Sequence, residues 1–89
     1  MAHCPFELLD DLADVFAELR TWPGVAEKKP GVFYVKSQAF LHFHVSEGER
    51  RHADVKSRTG WVPYDLPRPA TESKRRAFLR ELRRRHAEK

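Results

Sequence analysis

Ala39-Phe40-Leu41-His42-Phe43-His44-Val45 is the stretch on which the fold turns. Its residues alternate with a period of two, the spacing of a strand whose side chains point to opposite faces of a sheet. Leu41, Phe43 and Val45 fall on one face, and Phe40, His42 and His44 on the other. Downstream, Arg51 to Lys56 repeats the alternation, with Ala53 and Val55 opposite His52, Asp54 and Lys56. Residues 46–50, with Gly48, supply a turn between the two. With Ser46 opposite Arg50, His44 faces His52, His42 faces Asp54, Phe43 faces Ala53 and Leu41 faces Val55. A slip of one residue would mix the apolar set with the polar set, so the register is constrained.

Working outward, Gly31 to Lys36 is rich in β-branched and aromatic residues and reads as a strand, joined to Ala39–Val45 by a tight turn at Ser37-Gln38. Trp61 to Tyr64 reads as a short fourth strand, and its Pro63 favours an edge position. Residues 25–30 carry no pattern and read as a polar connector. Pro5 to Arg20 predicts an amphipathic helix. Leu8, Leu9, Leu12, Val15, Phe16 and Leu19 form one stripe, ended by Trp22-Pro23-Gly24. After the stiff Leu66-Pro67-Arg68-Pro69 connector, Thr71 fits an N-cap for a second helix, Glu72 to His86. The expected architecture is one α+β domain over residues 1–89, a two-layer sandwich in the order α-β-β-β-β-α. An antiparallel sheet of three to four strands packs both helices on one face, the one carrying Val32, Tyr34, Leu41, Phe43, Val45, Ala53 and Val55.

Eighty-nine residues, 40% of them hydrophobic and 34% charged, suit one small globular domain rather than a disordered chain. The single cysteine, Cys4, excludes an intramolecular disulfide, the start carries acids where a signal peptide carries bases, and no apolar run approaches membrane-spanning length. A cytoplasmic protein without a membrane partner is expected. The net charge of +4 is unevenly spread: residues 1–25 hold five acids and one base, residues 70–89 eight bases and three acids.

His42, His44, His52 and Asp54 would form a square on one sheet face, since directly paired residues place their Cβ atoms about 5 Å apart. Imidazole and carboxylate together suit a divalent metal such as zinc or iron, either closing a structural site or leaving a coordination position open. Without metal the same groups could shuttle protons. The plainer reading is the solvated face of an antiparallel sheet. His42-x-His44 followed by Glu49 matches part of a cupin motif, but the rest is missing and the flanks are helical, which argues against a cupin barrel. Phe33, Val35 and Phe40 fall on the His42 face in this reading, so a helix, a homodimer partner or a small ligand must cover that end. Of these a dimer interface ranks first.

The second helix carries seven bases within twelve residues, Lys74 to Arg85. Arg76, Arg80, Arg83 and Arg84 are candidate phosphate contacts for nucleic acid. Pairing with the acidic first helix is the competing use, and it ranks higher. The favoured function is binding of a ligand or protein through the His/Asp/aromatic sheet face, with nucleic-acid binding through the basic helix as the alternative.

Three local strings carry a resemblance. Trp22-Pro23-Gly24-Val25, Leu41-His42-Phe43-His44 and Gly60-Trp61-Val62 together resemble the small "luciferase domain" family of largely uncharacterised proteins, over roughly residues 15–65. The resemblance implies a helix, a turn, a strand pair bearing His-x-His and a later Gly-Trp-Val strand. It implies no light emission and carries over no catalytic residue, and the segment expected between the third strand and Gly60 is missing. The element order is also similar to that of frataxin-like and double-wing YjbR-like domains, the latter suspected of binding DNA.

Overall fold

The alternation around His42 and His44 is realised as the longest strand of an antiparallel sheet, Gln38–Ser46. The computed structural model describes residues 2–3, 6–46 and 50–88. The elements in chain order are strand β1 (Ala2–His3), a 3₁₀ segment (Phe6–Leu12), helix α1 (Ala13–Leu19), strands β2 (Val25–Lys29), β3 (Val32–Val35), β4 (Gln38–Ser46), β5 (Arg50–Lys56) and β6 (Trp61–Asp65), and helix α2 (Glu72–Ala87). The sheet runs β2-β3-β4-β5-β6, and the short β1 adds to β4, pairing His3 with His44. The α+β sandwich is as the sequence predicts. The strand count is higher, five in the main order rather than three to four.

The register of β4 and β5 is the expected one: Leu41 with Val55, His42 with Asp54, Phe43 with Ala53, His44 with His52 and Ser46 with Arg50. Residues 47–49, including Gly48 and Glu49 of the turn, lie outside the described residues. Both helical segments pack on the Leu41–Phe43 face. Phe16 meets Phe33 at 5.4 Å and Phe43 at 5.8 Å between ring centroids, and Phe78 of α2 meets Tyr64 at 5.0 Å. Thr71 caps α2 by accepting a hydrogen bond from the Lys74 N–H at 3.2 Å.

Three expectations are corrected. Residues 25–30 are not a connector: Val25–Lys29 forms β2, paired with β3. Its charged residues suit an edge strand, where polar side chains discourage further pairing, and they hide the strand from a hydrophobicity reading. The first half of the predicted helix is 3₁₀ rather than α. Most consequentially, Phe33 pairs with Leu41 while Tyr34 pairs with Ala39, leaving Phe40 as the extra residue of a β-bulge. The bulge brings Phe33, Val35 and Phe40 into the core with Leu41, all but inaccessible to solvent. Val32 and Tyr34 move to the opposite face. The apolar residues that called for a dimer partner over the histidine face are therefore already covered by the helices.

The core face also holds a charge. Arg51 is 2% exposed and uses all five guanidinium N–H groups. They donate to Leu66 O, Leu8 O, Pro67 O and both Asp11 carboxylate oxygens, at 2.6–3.1 Å. Asp11 Oδ2 also accepts the Ala70 N–H at 2.6 Å. One side chain thus ties β5 to the 3₁₀ segment and to the connector before α2, and holds in place the strand that carries His52 and Asp54.

Candidate functional site

Because β4 and β5 pair in register, residues of even number from 42 to 44 and from 52 to 56 share the face away from the helices. β6 adds Trp61 and Pro63, paired with Lys56 and Asp54, and β3 adds Tyr34. The four predicted site residues therefore lie together, but they are not equivalent. His42, His44 and Asp54 place one donor atom each within 4.8 Å of one another. His44 Nε2 is 3.0 Å from Asp54 Oδ2 and His42 Nε2 is 3.8 Å from the same oxygen. His52 stands beside the group, its ring 5.4 Å from that of His44 and tilted by 30°.

These separations fit an ion. Around a metal with bonds of about 2.0–2.2 Å, neighbouring donors lie about 3.0–3.5 Å apart, between the two carboxylate distances observed. Two imidazoles and one carboxylate suit zinc or ferrous iron and leave coordination positions unfilled. The three side chains are half-buried, so water is only partly excluded.

Ring packing fixes the histidines. His42 meets His44 edge-on at 4.5 Å and Trp61 edge-on at 4.5 Å. His44 Nδ1 is buried and has no hydrogen-bond partner among the described residues. Whichever tautomer the ring adopts, that nitrogen lacks an acceptor or a donor, at a cost of about 1–3 kcal/mol. Buried atoms of this kind are few in folded proteins and gather where a ligand or a reaction uses them.

Trp61, Lys28 and Lys29 also border this cluster, and none of them is a candidate from the sequence. Trp61 is 41% exposed, the one exposed large hydrophobic side chain among the described residues. With Tyr34, His42, Lys28 and Lys29 it lines a groove of about 310 Å³. The strand prediction for Trp61–Tyr64 contained the parity that places Trp61 there. Lys28 and Lys29 gave no signal, because β2 was not recognised.

On α2, Arg83 pairs with Glu18 at 3.1 Å and lies over the Trp22 ring at 4.9 Å, and Arg75 pairs with Asp14 at 3.0 Å. Arg76 pairs with Glu72, and Arg84 and Arg85 with Glu81. Burial would raise the Glu81 carboxyl, but hydrogen bonds from Arg85 and Arg84 hold it below its ordinary value. Arg75 and Arg83 thus answer acids of the first helix, whereas Arg76, Arg84 and Arg85 pair with carboxylates of α2 itself. The fifth histidine, His86, is structural in its contacts: its Nε2 is 2.9 Å from Pro23 O and its ring sits between Trp22 and Phe40.

Compared with protein-family models, with characterised proteins and with solved structures, the chain matches none. No helix among the described residues is long and apolar enough to cross a membrane.

Proposed function

We propose that this is a small metal-dependent ligand-binding domain, with a divalent transition ion held on the outer sheet face by His42, His44 and Asp54. The observation that carries the reading is the convergence of three donor groups of matching type on two hydrogen-bonded strands. A strand pair is a rigid platform for such groups, so little conformational entropy is lost when an ion arrives. Zinc or iron fits the donor set, and His52 stands beside His44 to orient it.

Calorimetric titration with zinc tests the reading. One ion per chain is expected, with uptake abolished by His44→Ala. Equal uptake by the variant would mean adventitious binding and defeat the proposal.

Nucleic-acid binding through Arg76, Arg80, Arg83 and Arg84 is the weaker reading, because Arg76, Arg83 and Arg84 already pair with carboxylates. It requires duplex binding that persists at about 0.15 M salt, where screening removes most non-specific attraction.

A further inference from the structure

We infer that the groove between Tyr34 and Trp61 is a binding site for a small aromatic anion, a single ring bearing a carboxylate or phosphate. The inference goes beyond the metal reading. The groove has its own lining and shares only His42 with the metal cluster.

Charge and shape name the occupant. Among the residues that line the groove there are two lysines, Lys28 and Lys29, and no acid. Neither lysine makes an ion pair among the described residues. Lys28 is the extra residue where the β2–β3 register shifts, so it stands outside the regular ladder. Its Nζ lies over the Tyr34 ring at 5.7 Å, and across the groove Lys56 Nζ lies over the Trp61 ring at 5.1 Å. Ammonium groups therefore sit beside both aromatic walls, held by attraction to the ring faces.

Between them the floor is apolar, with Val32, Ala39 and Leu41. A flat ring can lie on this floor against Trp61 while its anionic group meets Lys28 and Lys29 at the rim. The volume of about 310 Å³ is at the small end of the range for small-molecule sites, about 300–1,000 Å³, which favours one ring over two. Trp61 gives a reason for its own exposure in this account. It is the wall of a site, packed edge-on with His42 at 4.5 Å between ring centroids.

The test is an NMR titration of the full chain with benzoate, phenyl phosphate and benzyl alcohol, each with chelator present so that metal plays no part. Saturable shifts of the Trp61 indole are expected with at least one of the two anions, with a dissociation constant of about 1 mM or tighter. Which anion binds more tightly distinguishes carboxylate from phosphate as the natural group. Trp61→Ala and the double variant Lys28→Gln/Lys29→Gln should each weaken binding at least about tenfold. Both alter exposed side chains, and an unchanged amide spectrum elsewhere verifies the fold. Benzyl alcohol binding as tightly as the anions, binding that survives Trp61→Ala, or no saturable shift with either anion would overturn the inference. Because the chelated protein is used, a failure to bind zinc leaves this result untouched, and a failure here leaves the zinc titration untouched.

Discussion

His44 and Asp54 are diagonal neighbours across β4 and β5, yet the Asp54 carboxylate lies closer to His44 Nε2, at 3.0 Å, than to that of His42, its direct ladder partner, at 3.8 Å. Asp54 thereby faces both imidazoles through a single oxygen. It supplies the only negative charge among the three proposed ligands. Asp54→Asn keeps the size and loses the charge. Zinc affinity should fall by about 10–100-fold or more, while the midpoint of thermal unfolding of the metal-free protein changes little, because Asp54 is only half-buried. Parallel calorimetry and melting curves check both halves of this expectation.

The Arg51–Asp11 pair predicts an acid sensitivity. Burial would raise the Asp11 carboxyl, but hydrogen bonds from Arg51 and from the Ala70 N–H outweigh it and hold the group below its ordinary value. A carboxyl depressed in the folded state stabilises it above the unfolded group's titration range, and that stability is lost as pH falls through the folded one. Asp11→Asn should therefore flatten the acid limb of the stability profile. Removing one partner of a buried pair costs about 3–5 kcal/mol at neutral pH. Converting both partners to apolar residues should not restore it, since Leu8 O, Leu66 O, Pro67 O and Ala70 N would each lose a hydrogen bond. Urea melts from pH 7 to pH 3 measure the effect.

Gly31, in the turn just before β3, has φ of 81°, and a Cβ built there would lie 2.6 Å from Leu9 Cδ1. Gly31→Ala meets both a disfavoured backbone conformation and a clash with the 3₁₀ segment. A loss of about 1–3 kcal/mol is expected by denaturant unfolding. A neutral result would mean that the helical layer approaches β3 less closely than described.

The β3–β4 turn points the other way. Lys36 and Ser37 both have positive φ, 51° and 70°. A two-residue turn with that geometry prefers Asn-Gly. The pair Lys36→Asn/Ser37→Gly should raise stability by about 0.5–1 kcal/mol, read as a higher urea midpoint at unchanged slope.

The parts of this molecule legible in its sequence are those where polarity and parity agree. From Leu41 to Val55 the apolar and polar sets separate cleanly, so the β4–β5 register and the shared face of His42, His44, His52 and Asp54 follow from alternation alone. At Phe40 polarity gives no warning of a bulge, because a phenylalanine suits either face. One extra residue then exchanged the faces of β3 and sent Tyr34 rather than Phe33 to the site side. β2 was hidden by its Glu27, Lys28 and Lys29, which read as loop. Arg51 has the parity of Ala53 and Val55, and that was the available sign that an arginine faces the core. Its polarity suggested the surface, and only the distant carbonyls and Asp11 make its burial tolerable.

X-ray absorption at the zinc edge, on protein given one equivalent of zinc, reads the ligands of the proposed ion on His42, His44 and Asp54. A first shell of nitrogen and oxygen at about 2.0–2.2 Å with outer-shell scattering from two imidazoles is expected, replaced in His44→Ala by the spectrum of aqueous zinc. A sulfur shell at about 2.3 Å, pointing to Cys4, or a spectrum unchanged in the variant, would contradict that assignment.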